Sequence, residues 1–158
     1  RIFDYLGYQR YFLTFCTHER RHLFVHPGPV NVVLSEILRA CPVTRISLLA
    51  YCFMPDHVHL LVEGTEAAAD GQRFIRLAKQ YSGYQWRRRS EGPLWQRYGY
   101  ERVLRSDEDA RGVTRYILEN PVRAGLVISA GEYPYSGSAM YSIESLLDAV
   151  AWTPDRSG

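Results

Sequence analysis

Apolar and polar positions repeat with two periods along this chain, that of a strand and that of a helix. Residues 11–17 (YFLTFCT) are rich in aromatic and β-favouring side chains and read as a first strand. A polar connection over residues 18–21 and a breaker cluster, His26-Pro27-Gly28-Pro29, follow it. Apolar residues at 30, 33, 34, 37 and 38 then form the stripe of a core-facing helix. Cys41-Pro42 should end that helix, because the residue before a proline is pushed out of the α region. Residues 46–53 and 57–62 are two further strands, joined across Met54-Pro55-Asp56 as an antiparallel hairpin. After a loop over residues 64–71, a long helix runs from Gln72 to about Arg88, with Phe74, Leu77, Ala78 and Tyr81 on its apolar side. Residues 94–104 read as a strand or irregular extended segment, with Gly99 suited to a bulge. Ser106 can cap another helix, with three acids in its first turn; it should run to Glu119 or Asn120 and stop at Pro121. An irregular return around Tyr133-Pro134-Tyr135 precedes a short final helix over residues 146–152.

The first six elements run strand, helix, strand, strand, helix, strand. That is the ferredoxin-like order of an α+β fold: an antiparallel sheet with helices on one face, here followed by a more C-terminal helix. A length of 158 residues suits one domain, residues 1–158, with a real core. Hydrophobic content of 46% with 23% charge is that of a soluble globular chain, and no apolar run approaches the ~20 residues of a membrane helix. The opening RIFDYLGYQRYF is broken by charges and does not read as a signal peptide; it begins with Arg, so native residues are expected before it. Three cysteines without a CxxC pair argue against a disulfide framework and for a reducing cytoplasm.

Charge changes the picture more than composition does. Residues 1–72 carry 6 basic and 7 acidic side chains, residues 73–123 carry 12 and 6, and residues 124–158 carry 1 and 4. The middle third is thus at net +6, as expected for a face that binds a polyanion. Arg73, Arg76 and Lys79 lie off the apolar stripe of the long helix, and Arg87, Arg88 and Arg89 close it. Of the 19 basic residues 18 are Arg, which suits bidentate phosphate contacts and stacking on bases. Tyr84, Trp86 and Trp95 could add stacking surfaces for unpaired bases.

Candidate chemistry starts at Tyr51-to-Glu63, YCFMPDHVHLLVE. His57 and His59 stand at i and i+2 of a strand, so their imidazoles share a face while Val58 and Leu60 take the other. On their own they fit half a metal site, or two surface histidines. Tyr116 and Asn120 are four apart and share one face of the capped helix. Tyr116 offers a phenol nucleophile, and Asn120 an amide oxygen of the hard type that suits Mg²⁺ or Mn²⁺.

The strings MPDHVHLLVEG, GPLWQRYGYERVL and YILENPVRAGLV, in this order, resemble the single-tyrosine HUH transposases, and most of all the REP-associated tyrosine transposases. The likeness runs from the YFLTF strand to the EYPYSGSA segment. It implies that His57 and His59 bind a divalent metal, Mg²⁺ or Mn²⁺, that Tyr116 is the nucleophile, and that Asn120 takes the position of a third ligand. It further implies a metal-dependent endonuclease and strand transferase acting on single-stranded or hairpin DNA through a 5′-phosphotyrosine intermediate, as a homodimer or a monomer. The basic segment with Trp95 would hold the DNA. A non-cleaving module that binds hairpin DNA or structured RNA is the alternative, and a small metal hydrolase using a bound water ranks behind both.

Overall fold

The computed structural model of the protein describes residues 8–151. Strand β1 (Arg10–Cys16) leads through a 3₁₀ turn to helix α1 (Pro27–Thr44), then to the hairpin of β2 (Ile46–Met54) and β3 (His57–Gly64). Helix α2 (Gly71–Arg87), strand β4 (Tyr100–Leu104) and helix α3 (Asp107–Arg123) follow, then a two-residue strand β5 (Ser136–Gly137) and helix α4 (Ile143–Val150). The sheet order is β4-β1-β3-β2-β5 with every pair antiparallel. Its first four strands realise the ferredoxin-like fold expected from the element order.

The period-two pattern of the strands divides the core between the two faces of the sheet. Leu13, Phe15, Val58, Leu60 and Val62 point to one face, where α1 and α2 cover them with Val33, Ile37, Phe74 and Ala78. Phe12, Cys52 and Leu61 point to the other, where α3 and α4 cover them with Val113, Ile117, Leu118 and Leu146. Among the described residues no helix is long and apolar enough to cross a membrane.

Prolines account for most differences from the expected boundaries. Pro27 and Pro29 lie in the first turn of α1, where backbone N–H groups have no helical partner to lose. Pro42 does not end α1, which continues to Thr44 and closes at Arg45 in the left-handed region with φ 59°. Pro121 likewise lies inside α3, near its end, where it forfeits a single backbone bond. The helix runs on to Arg123 and is closed by Gly125, φ 75°, whose N–H donates to the Val122 carbonyl at 3.0 Å while Leu126 N–H reaches the Pro121 carbonyl at 2.9 Å. That pair of bonds is a Schellman closure, with glycine at the position that demands positive φ.

The segment 94–104 is a strand only from Tyr100. Gly99 makes no bulge; its backbone lies so close to β1 that a Cβ would sit 2.5 Å from the Thr14 carbonyl oxygen, so no side chain fits. The final helix begins earlier than expected, at Ile143, and Trp152 lies outside the described residues. Strand β5 was not anticipated: at two residues it has no readable period, and it is pinned to β2 through Tyr51 and Cys52.

Candidate metal centre and nucleophile

Because β3 alternates, Val58, Leu60 and Val62 anchor in the α1/α2 core, while His57 and His59, with Leu61, lie on the face that α3 covers. The two Nε2 atoms are 3.2 Å apart. Each ring is fixed through its other nitrogen. His59 Nδ1 lies 2.8 Å from Thr14 Oγ1 on the neighbouring strand, where Thr14 pairs with His59 in register. His57 Nδ1 lies 2.7 Å from Asp56 Oδ1, and Arg20 Nε donates to Asp56 Oδ2 at 2.8 Å. With Nδ1 of both rings occupied by oxygen partners, both Nε2 lone pairs are free to converge on one point.

Helix α3 supplies the third donor to that point. The Asn120 amide stands 3.2 Å from His59 Nε2 through its Nδ2, and a half-turn of the amide presents Oδ1 instead. Val113, Ile117 and Leu118, at neighbouring positions of α3, are buried against the sheet and so fix the helix's rotation, which keeps Asn120 and, one turn earlier, Tyr116 beside the strand. Tyr116 packs its ring edge-on against His59 with centroids 5.6 Å apart, and against Phe12 at 5.9 Å. It remains 45% exposed, so its phenol is open to a macromolecular substrate. Arg123, one further turn along, lays its guanidinium 4.5 Å from the centre of the Tyr116 ring and donates from Nη2 to the Tyr116 carbonyl at 2.8 Å.

Burial, together with the charges of His57 and Arg123, pushes the His59 imidazole down to about 3. A ring held neutral keeps its lone pair for a ligand. Burial opposes the charge on Asp56, but hydrogen bonds from His57 and Arg20 outweigh it and hold the carboxyl below the ordinary carboxylate range. The donor chemistry fits a divalent cation: two imidazoles and one amide oxygen, each imidazole oriented by an outer partner. Among the described residues no group of three or more His, Cys, Asp or Glu side chains is arranged to hold a metal ion, and Asn120 is the side chain that adjoins the two imidazoles.

The structure separates the residues expected to hold DNA into two kinds. Arg73, Arg76, Arg87, Arg88 and Arg89 are exposed. Trp95 is not a free stacking surface. It is 8% exposed, packs against Phe15 and Phe24, and donates from Nε1 to Ser82 Oγ at 2.9 Å, which makes it a core residue. Trp86, also 8% exposed, is core as well, whereas Tyr84 is 61% exposed. Lys79 turns inward: its Nζ donates to the carbonyls of Gln96 at 2.9 Å and Arg97 at 3.2 Å, and burial lowers its pKa. It ties the 96–97 backbone to α2 and is not a free phosphate contact.

Thr14, Arg20 and Arg123 were not picked out from the sequence as parts of this centre. Thr14 carried a signal, as the polar residue inside the apolar run YFLTF, on the parity that faces His59. Arg20 carried none, since its approach to Asp56 follows from a turn in which both Glu19 and Arg20 adopt positive φ.

Comparison with known proteins bears on the same residues. A family model described as IS200-like transposase matches residues 7–120, a span that includes His57, His59, Tyr116 and Asn120. A Haemophilus influenzae protein assigned to the REP-associated tyrosine transposases is 29% identical over 140 residues, covering 80% of this chain and 77% of its own. Among solved structures, a REP-associated tyrosine transposase bound to a REP hairpin matches with a TM-score of 0.73 at 21% identity, over 86% of this chain and 79% of that one. A Deinococcus radiodurans protein assigned as a transposase matches with a TM-score of 0.52 at 22% identity, over 76% of this chain and 96% of its own. At these identities the two structures speak for the fold.

Proposed function

This chain belongs to the IS200-like transposase family, and from that premise we propose that it is a metal-dependent strand transferase that cuts and rejoins single-stranded DNA at a foldback hairpin, with Tyr116 as nucleophile. The observation that carries the reading is the convergence of His57 Nε2, His59 Nε2 and the Asn120 amide within 3.2 Å steps, with the Tyr116 ring packed on His59. Hairpin DNA as the partner is supported by the fold neighbour that was solved with a REP hairpin bound.

In this reading His57, His59 and Asn120 hold Mg²⁺ or Mn²⁺. The cation, when bound, supplies Lewis acidity to a non-bridging oxygen of the scissile phosphate. Tyr116 Oη attacks phosphorus in line and gives up its proton as the bond forms. The bond from phosphorus to the 3′ oxygen breaks, and that oxygen takes up a proton as the free 3′-hydroxyl. The 5′-phosphate remains ester-linked to Tyr116, so no external energy source is needed for a second 3′-hydroxyl to reverse the step on another strand. Arg123 and Phe12 hold the tyrosine ring, and Thr14 and Asp56 hold the imidazoles.

The test is incubation of the chain with a hairpin-bearing single-stranded oligonucleotide and Mn²⁺ or Mg²⁺, followed by a denaturing gel. A covalent adduct is expected that disappears with a chelator and with Tyr116→Phe. An adduct that survives Tyr116→Phe, or release of a free 5′-phosphate without any adduct, overturns the proposal. Tight hairpin binding with no adduct and no metal dependence selects the non-cleaving module instead.

A further inference from the structure

A groove on the opposite side of the sheet from the histidines has the lining of a nucleic-acid site. It consists of two adjoining cavities between α2 and residues 93–101, of about 380 and 420 Å³, which share Lys79 and Arg97. Arg76 and Arg87 line it from α2, and Arg97 lines it from the facing segment. Interleaved with these cations are aromatic rings that the core does not use: Tyr84 is 61% exposed, Tyr98 76% and Tyr100 50%. Arg97 lies 5.4 Å over the Tyr98 ring, which holds cation and ring together as one surface. Its floor is fixed, since Lys79 ties the 96–97 backbone to α2 and Gly99 lies flush against β1. Cations alternating with open aromatic faces on a rigid floor fit a polyanion that carries unpaired bases.

The same rings lead out of the groove toward the nucleophile. Strand β4 is the edge of the sheet, and no other strand among the described residues pairs with its outer side. Tyr100, at its first position, lines the groove and also packs edge-on against Phe12, centroids 5.7 Å apart, on the other face. Phe12 in turn touches Tyr116 and His59. Beside Phe12 a third cavity of about 390 Å³ opens between β4 and α3, lined by Arg102, Glu108, Asp109, Gly112 and Tyr116. The acids along this path, Glu101, Glu108 and Asp109, can accept from base amino groups, whereas the arginines suit phosphates.

We propose that an unpaired DNA segment lies in the groove between α2 and residues 93–101, crosses the β4 edge at Tyr100, and so delivers its phosphate to Tyr116. The sheet edge then separates a face that holds the strand from a face that cuts it. This rests on the reading of the chain as a single-strand transferase, and it assigns the grip on the strand to Tyr98, Tyr84 and Arg97 in place of Trp95 and Lys79.

The experiment uses the full chain without metal and two oligonucleotides, a blunt hairpin and the same hairpin with a single-stranded extension. Tyr98→Ala and Arg97→Ala are each expected to weaken binding of the extended oligonucleotide about tenfold, within the range for loss of one base stack or phosphate contact, and to leave the blunt hairpin unaffected. In addition, 5-bromouracil placed in the extension should photo-crosslink to Tyr98 in the otherwise unaltered chain, a readout independent of any change in folding. Equal losses on both oligonucleotides, or crosslinks only from the paired stem, overturn the proposal in favour of a duplex-binding surface. No loss on either shows that the groove holds no DNA. Adduct formation with metal, measured in parallel, keeps the two readings apart: an adduct without preference for the extension removes the groove alone, and preference for the extension without an adduct removes the cleavage chemistry alone.

Discussion

The two faces of β3 are built from adjacent residues of one strand and are put to opposite use. Val58, Leu60 and Val62 are fully buried in the core that α1 and α2 cover. His57 and His59 alternate with them in sequence, yet they face α3 and carry a chain of polar partners through Thr14, Asp56, Arg20 and Asn120. The apolar face sets where the strand sits, and with it the direction in which the imidazoles point. The other face also packs, through Leu61, but it holds His57 and His59 at hydrogen-bond distances from polar partners. Stability and chemistry should therefore respond to different substitutions only one or two residues apart in sequence.

The largest effect is expected on the polar face. His57→Ala removes one converging nitrogen and should lower metal-dependent adduct formation by more than the ~10–100-fold typical of losing an outer partner of a metal site. Its side chain is 17% exposed, and Asp56 keeps its bond to Arg20, so the thermal midpoint should move by only a few degrees. The converse is Ile37→Ala on α1, where a fully buried side chain is truncated. That change should cost about 2–5 kcal/mol in denaturant unfolding and leave the adduct rate of the folded fraction unchanged. A His57→Ala chain that unfolds as readily as Ile37→Ala would break the comparison.

How much of this was legible beforehand follows the same division. The hairpin, the shared face of His57 and His59, the Ser106 cap and the pairing of Tyr116 with Asn120 all follow from periods of two and of about four, which the sequence displays directly. Ser106 indeed accepts from Asp109 N–H at 3.0 Å. Trp95 and Lys79 were misread because a short irregular segment has no period. Nothing in LWQRYGY tells which side of it lies on α2, and only the fold shows Trp95 turned toward Ser82 and Lys79 toward the carbonyls of Gln96 and Arg97. The prolines misled for a different reason: near a helix end a proline gives up one hydrogen bond, and the burial of Val113, Ile117 and Leu118 along α3 outweighs that loss.

A smaller effect should separate the faces by pH. His59 is buried neutral, with its folded pKa near 3 against an ordinary 6.5. An unfolded chain therefore binds this proton and the folded one does not. The stability contributed is fully present above pH 6.5 and is lost progressively as pH falls from there toward 3. Between pH 7 and 5 the loss should be on the order of 1–2 kcal/mol. Asp56, held below the ordinary range, adds a loss of the same sign at lower pH as its carboxyl protonates. The thermal midpoint should fall between pH 7 and 5 in the unaltered chain and fall less in His59→Gln. Equal slopes in the two chains would show that the acid sensitivity arises elsewhere.

The finest division lies within the polar face, between holding a group and being one. Arg123 touches no imidazole nitrogen in the hydrogen-bond network; it stacks on the Tyr116 ring, bonds the Tyr116 carbonyl, and reaches Glu119 at 3.6 Å. Its side chain is 48% exposed, and the Glu119 pair is solvent-screened, so its removal should barely change stability. What it controls is the orientation of the phenol. Arg123→Ala should therefore slow single-turnover adduct formation by about tenfold, the scale on which misplacing a reacting group is felt, with the affinity for hairpin DNA unchanged. Arg123→Lys should restore only part of the rate, because a point charge can stand over a ring but cannot also present a planar fork to the backbone carbonyl. If affinity falls while the rate at saturating DNA holds, Arg123 is a phosphate contact and belongs with the arginines of the groove; if rate falls alone, it is the clamp on Tyr116.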